Sequence, residues 1–138
     1  MRNKKFANIC LPLLFFPFWA WSEEKVTFTA SAPKILETGE QFQLKFTVSS
    51  SDTLTFADVK DLLIPQLQDF KIVFGPARSV QKIERNISDK KIIRHEIVYL
   101  YILSTPNTGK FKIPEASIMV QNQRFYSKPL FIRIVPNE

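Results

Sequence analysis

The sequence predicts an immunoglobulin-like antiparallel β-sandwich of seven or eight strands, and three observations support this fold class. Apolar and polar residues alternate with a period of two over most of the chain after residue 25. Residues that favour turns recur at intervals of about 8–12 positions, as in sandwich domains. Near the end, Gly109 opens a strand, Pro114 stops it, and a hairpin leads into the last strand.

The first 22 residues are predicted to be a secretory signal peptide rather than part of the fold. A short basic start precedes a mostly apolar run over residues 6–21, and small residues occupy the positions that a signal peptidase reads. We expect cleavage between Ser22 and Glu23, which leaves residues 23–138 as one sandwich domain. The alternative is an uncleaved anchor, although the run is short for a membrane span and contains two prolines.

The first strands follow directly from the alternation. Residues 26–30 form a strand that points Phe28 inward, and Pro33 ends it. Residues 42–48 give the clearest pattern in the chain, with one apolar and one polar face. Its apolar positions are Phe42, Leu44, Phe46 and Val48.

The middle of the chain has a looser pattern. Leu62 and Leu63 lie three and four positions after Val59, which favours a short helical turn within the connection over residues 56–65. Residues 70–74 then form a strand that the breaker pair Gly75-Pro76 is expected to end.

Residues 78–87 are polar and are predicted to form an edge strand. The alternation breaks between Val80 and Ile83, which favours a β-bulge. Its basic residues Arg78, Lys82 and Arg85 are candidate contacts for a partner strand. They are also the type of residue that protects an edge against aggregation, and we favour the protective role.

The second half of the chain contains the longest strand. Residues 91–103 are polar at the start and apolar on both faces at the end, which is typical of a central strand. Further strands follow around Phe111 and Ile118, then a hairpin at Gln121-Asn122-Gln123 and a last strand near Ile132. The predicted core is Phe28, Phe42, Leu44, Phe46, Phe70, Ile72, Ile97, Tyr99, Phe111, Ile113, Ile118 and Ile132.

The composition gives little support for catalysis, metal binding or nucleic-acid binding. Cys10 is the only cysteine and lies in the predicted leader, while His95 is the only histidine. We therefore expect no cofactor and no metal. Without the leader, 16 basic and 13 acidic residues remain, so the net charge is +3 and the charges are mixed. The sequence predicts no nucleic-acid partner and no transmembrane segment after residue 22.

Several motifs, in order, resemble the BatD oxygen-tolerance family. They are Gly39-Glu40-Gln41-Phe42-Gln43-Leu44, Phe70-Lys71-Ile72-Val73-Phe74-Gly75-Pro76, Tyr99-Leu100-Tyr101-Ile102-Leu103, Gly109-Lys110-Phe111-Lys112-Ile113-Pro114 and Tyr126-Ser127-Lys128-Pro129-Leu130. The resemblance covers residues 26–135. BatD-like proteins are normally longer, with further domains and a membrane segment, so this chain resembles their leading domain.

The resemblance implies a non-enzymatic protein-interaction module in the periplasm or cell envelope, with a role in aerotolerance. BatD-like proteins are encoded beside von Willebrand A-domain membrane proteins and a MoxR-type ATPase. The expected partners are therefore envelope proteins, including such A-domain proteins, through which the chain would associate with the membrane.

Two other functions remain open from the sequence. A carbohydrate-binding or adhesin sandwich would display aromatic residues such as Tyr126 and Phe131 in a flat row. A hydrolase accessory or small enzyme would have to depend on His95, since it is the only residue of its type.

Overall fold

The computed structural model describes residues 25–137, which form ten strands and one short 3-10 helix, with no α-helix among them. The predicted leader, with its cleavage site at Ser22 and Glu23, lies outside the described residues. The strands are β1 Val26–Ser31, β2 Ile35–Glu37, β3 Phe42–Ser50, β4 Val59–Leu63, β5 Lys71–Ile87, β6 Lys90–Ser104, β7 Gly109–Ile113, β8 Ser117–Val120, β9 Gln123–Tyr126 and β10 Leu130–Val135.

The strands form three sheets whose inner faces share one hydrophobic core, which confirms the all-β sandwich class. The four-stranded sheet has the order β1-β3-β6-β5, and the three-stranded sheets have the orders β2-β10-β7 and β4-β8-β9. Every pairing is antiparallel except that between β10 and β2, which is parallel. Strand β6 lies between β3 and β5, as its two-sided apolar pattern predicts.

Aromatic rings pack against each other in the core, both within the four-stranded sheet and, through Phe70, between that sheet and β7. Phe46 is fully buried, and its ring lies 6.0 Å from that of Phe28 and 6.1 Å from that of Tyr101. Phe70 lies in edge contact with both Phe42 and Phe111, at 5.7 and 5.6 Å between ring centroids. Such pairs stabilise the core by about 0.5–1.5 kcal/mol each beyond the burial of their area.

Most of the predicted core is confirmed, with one error. Nine of the twelve residues are buried, and Phe70 and Phe111 are partly buried against the core. Ile72 is 47% exposed, so its assignment to the core is wrong. It lies on β5, an edge strand, where a neighbouring strand covers only one side.

The predicted connection over residues 56–65 does contain a short helical turn, but Val59, Leu62 and Leu63, whose spacing predicted it, lie in a strand instead. The 3-10 helix lies just before, over Phe56–Asp58, and β4 follows at once. Cross-strand pairing with β8 decides the conformation of β4, and a register irregularity between Lys60 and Leu63 disturbs its alternation. Asp61 within that irregularity has a φ of 55°.

Strand β5 continues through Gly75-Pro76, so the prediction that this pair ends a strand is wrong. The pair is accommodated by register shifts between Ile72 and Phe74 and between Phe74 and Ala77. From Ala77 to Ile87 the pairing with β6 is regular, and the bulge predicted between Val80 and Ile83 is absent. The short strand β2 was also not predicted, because only Leu36 among its three residues is buried.

Two hairpin turns have similar backbone geometry, and one of them is the predicted hairpin at Gln121-Asn122-Gln123, which is confirmed. Ser88 and Asp89 join β5 to β6 with φ values of 51° and 64°, and Gln121 and Asn122 join β8 to β9 with values of 48° and 70°. Two successive positive φ values match the right-handed twist of the flanking strands.

Candidate functional site: the free edge of strand β5

Strand β5, and not β6 as predicted, is the longest strand, and it forms one edge of the four-stranded sheet. It pairs with β6 along one side, and no other strand among residues 25–137 pairs with its second side. Its 17 residues therefore present a long row of backbone groups that a partner strand could use. The sequence-based prediction of an edge strand over residues 78–87 is confirmed, and the edge extends further towards the N-terminus than predicted.

Gly75 lets the bulged part of β5 approach β6 closely. Its φ is 113°, and a Cβ atom at this position would lie 2.6 Å from the carbonyl oxygen of Leu100 and 3.0 Å from the Cα of Tyr101. A side chain would thus collide with backbone, and backbone cannot move aside as the end of a side chain can. The glycine keeps the irregular segment attached to the sheet.

Three consecutive apolar residues lie beside this bulge, and we call residues 72–74 the apolar edge. The exposed fractions of Ile72, Val73 and Phe74 are 47%, 42% and 54%. Scattered exposed apolar residues are normal, whereas a contiguous exposed group marks a candidate interaction site. The apolar edge therefore combines unpaired backbone with side chains that would gain from burial.

The structure does not bring the three predicted contact residues together. Arg78 lies with its guanidinium carbon 4.3 Å from the centroid of the Phe56 ring. Lys82 lies opposite His95, on the same face of the hairpin as Arg78, and Arg85 lies on the other face. Arg78 is thus engaged within the domain, and the other two cations cannot act on one ligand from one side.

Arg78 also contacts the hydroxyl of Tyr99, directly across the strand pair. Burial raises the pKa of Tyr99, and the hydrogen bond and charge of Arg78 oppose that shift only in part. The phenol therefore stays neutral at physiological pH. The arrangement ties β5 to the 3-10 helix and to β6, and it shows no sign of reactive chemistry.

Two side chains in the regular part of β5 have polar partners on β6. Glu84 forms a salt bridge of 2.7 Å with Lys91, and Gln81 donates a 2.9 Å hydrogen bond to Glu96. The hydrogen bond from Lys91, and secondarily its charge, lowers the pKa of Glu84. Charged side chains of this kind discourage pairing with a passing strand, which agrees with the protective role considered above.

The described residues contain no cluster of potential metal ligands and no helix suited to crossing a membrane. No group of three or more potential metal ligands occurs within residues 25–137. His95 lies in β6 between Ser50 and Lys82, away from any carboxylate in its own cross-strand row. In the same part of the chain, no helix has the length and apolar character needed to cross a bilayer.

A depression of 570 Å³ lies at one end of the sandwich, away from β5. Amide side chains of Gln121 and Gln123, the ring of Phe125 and the polar loop around Asp52 line it. Lys25 forms a 2.7 Å salt bridge with Asp52 at its margin. Hydrogen-bonding side chains and one aromatic ring thus border the same depression.

The apolar edge was not predicted, because Ile72 was assigned to the core and Gly75-Pro76 to the end of the strand. The available signal was the uninterrupted run Ile72-Val73-Phe74, since a half-buried strand alternates and this segment does not.

Comparison with protein families gives one match. The family model described as the BatD DUF11 like domain matches residues 29–134, which is most of the chain. Comparison with curated proteins gives no significant match.

Proposed function

Because the chain belongs to the BatD family, which is associated with aerotolerance and the cell envelope, we propose that it is a non-enzymatic protein-interaction module. It acts outside the cytoplasm, within an envelope complex. Its partners are envelope proteins, and membrane proteins with a von Willebrand A domain are the first candidates. The observation that carries this proposal is the exposed apolar edge on the free side of β5.

The apolar edge is the best contact that the β5 strand offers. Burying the exposed halves of Ile72, Val73 and Phe74 would stabilise a complex by about 2–4 kcal/mol. The backbone beside them adds hydrogen-bonding groups that no strand of the described domain uses. The regular segment from Ala77 onwards is less suitable because it carries charged side chains, and Glu84 and Gln81 already pair with Lys91 and Glu96 within the hairpin.

The experiment is capture of partners from envelope extracts with the tagged full chain, followed by mass spectrometry. We expect the native chain to recover A-domain membrane proteins. Phe74→Ala should lower their recovery about tenfold, because it removes a central apolar contact without changing charge.

Ile87→Ala is the matched control, since Ile87 is 52% exposed at the far end of the same strand. It should leave recovery unchanged. Equal losses for Phe74→Ala and Ile87→Ala would contradict the proposed contact, and recovery of no envelope protein by the native chain would contradict the proposed function.

A carbohydrate-binding or adhesin-type sandwich is the second candidate, and the depression at the end of the domain favours it. The flat aromatic row expected for that function is not formed by Tyr126 and Phe131, because they lie on different sheets. If this alternative holds, the chain binds a glycan on an array, and the substitutions Gln121→Ala and Gln123→Ala abolish that binding. Binding to no glycan would remove it.

A further inference from the structure

We propose that the outer face of the β2-β10-β7 sheet docks on an anionic phospholipid surface. This face is separate from the β5 edge and does not depend on the function proposed above. It combines unpaired cations with two protruding apolar side chains, and we call it the cationic face. Its members are Lys34, Ile35, Lys110, Lys112, Phe131 and Arg133.

Strand register places these side chains together. Lys112 lies directly opposite Phe131, and Lys110 lies directly opposite Arg133. On the other side of β10, Arg133 lies opposite Ile35. Residues two apart on a strand share a face, so the two rows lie on the same outer surface, while Ile132 between them is buried in the core.

The cations have no anionic partner in the described domain. The salt bridges of residues 25–137 involve other residues, and all four basic residues of the cationic face are exposed. Glu37 is the acid on this face, but it lies opposite Val135 at the far end of β2. Like charges directly opposite each other destabilise a sheet, so the Lys110 and Arg133 pair favours an external anion.

The apolar residues point to the kind of anion. Phe131 is 67% exposed and Ile35 is 63% exposed, the two highest values among the large apolar side chains of the described residues. The cations, with Phe131, line a shallow depression of 380 Å³. A lipid surface offers phosphates to the cations and an apolar interface to the two side chains, and stable membrane association needs two such signals. A soluble polyanion offers only the first.

The test is sedimentation of the full chain with vesicles of phosphatidylcholine, alone or mixed with phosphatidylglycerol. We expect binding to the mixed vesicles that falls as salt rises, and weak binding to phosphatidylcholine alone. Each basic residue near an anionic surface is worth about 1 kcal/mol, or about fivefold in partition. The combined variant Lys110→Gln, Lys112→Gln and Arg133→Gln should therefore bind about 100-fold more weakly, with a smaller salt dependence.

Two further variants test whether binding depends on this face in particular. The first is a control for net charge, and the second removes an apolar side chain of the face. Lys82→Gln, Arg85→Gln and Lys90→Gln together remove the same charge from the β5–β6 hairpin and should leave binding nearly unchanged. Phe131→Ser should weaken binding several-fold while keeping the salt dependence. Residues 1–24 are present in every variant, so a difference in binding between two variants is due to the substituted residues.

The melting temperature of each variant shows whether it is folded. For the variant without Lys110 and Arg133 it should stay the same or rise, because the repulsion between these two residues is removed. Equal loss in the hairpin variant would overturn the proposal, as would equal binding to both kinds of vesicle. Saturable binding of inorganic phosphate that abolishes vesicle binding would also overturn it, because the depression would then be a site for a soluble anion.

Discussion

Single aromatic residues form the centre of the hydrophobic core of this sandwich. Phe46 contributes most directly, since it is fully buried between Phe28 and Tyr101. Its position follows from the alternation of β3, in which every second residue is buried. The conformation of Gly75 is just as specific, but no sequence pattern shows that its missing side chain is needed for contact with β6.

Phe46→Ala should lower the free energy of unfolding by about 3–5 kcal/mol, because burial is lost and a cavity remains. Chemical denaturation of the native chain and the variant measures this difference. Phe131→Ala is the matched control, since the same change on a side chain that is 67% exposed should cost under about 0.5 kcal/mol. A similarly small loss for Phe46→Ala would mean that the register of β3 is wrong.

Gly75→Ala should destabilise the domain by more than about 1 kcal/mol, because the new Cβ meets backbone atoms of Leu100 and Tyr101 at a positive φ. Gly39→Ala provides the control: its φ is 81°, yet a Cβ there meets nothing within 4 Å. It should cost less, because only backbone strain is added. Thermal unfolding of both variants distinguishes the two effects, and equal losses would argue against the close approach of β5 to β6.

At the scale of elements, the 3-10 helix shows how a short connection is fixed between two sheets. The carboxylate of Asp58 accepts hydrogen bonds from the backbone N–H and the hydroxyl of Thr55, at 2.8 and 3.1 Å. A longer contact of 3.4 Å comes from the Gln121 amide in the β8–β9 turn. These bonds close the helix at its start and connect it to a distant turn.

These hydrogen bonds lower the pKa of Asp58 below its usual value near 3.8, with the backbone N–H of Thr55 as the largest cause. The resulting stabilisation is present above the pKa of the unfolded chain and is lost as the pH falls through the folded pKa. An NMR pH titration should show this lowered value. Thr55→Val should raise the pKa part of the way back, whereas Thr55→Ser keeps the hydroxyl and should leave it low. Identical titrations for the two variants would contradict the role of the hydroxyl.

Elements also differ in how far the sequence predicts them. Strands β3 and β6 follow from their patterns because one is buried on one face and the other is central. Strand β4 does not, because pairing with β8 and a local irregularity override its spacing. The continuity of β5 through Gly75-Pro76 depends on register shifts against β6, and a local rule about breakers contains no information on that pairing.

At the scale of the whole molecule, family membership and sandwich class could be inferred from ordered motifs and turn spacing, and both are confirmed. The surfaces could not be inferred in the same way. The apolar edge depends on which strand ends the sheet, and the cationic face depends on the register of β10 with two neighbours far away in sequence. Both are products of long-range pairing rather than of local pattern.

The claim that the domain works through the apolar edge can be tested most directly by photocrosslinking in living cells. A benzoylphenylalanine at position 74 of the full chain places the reactive group at the free side of β5, and the same residue at position 87 serves as the reference. We predict that position 74 yields an adduct with an A-domain membrane protein and that position 87 does not. No adduct at position 74, or the same adduct from both positions, would contradict the account.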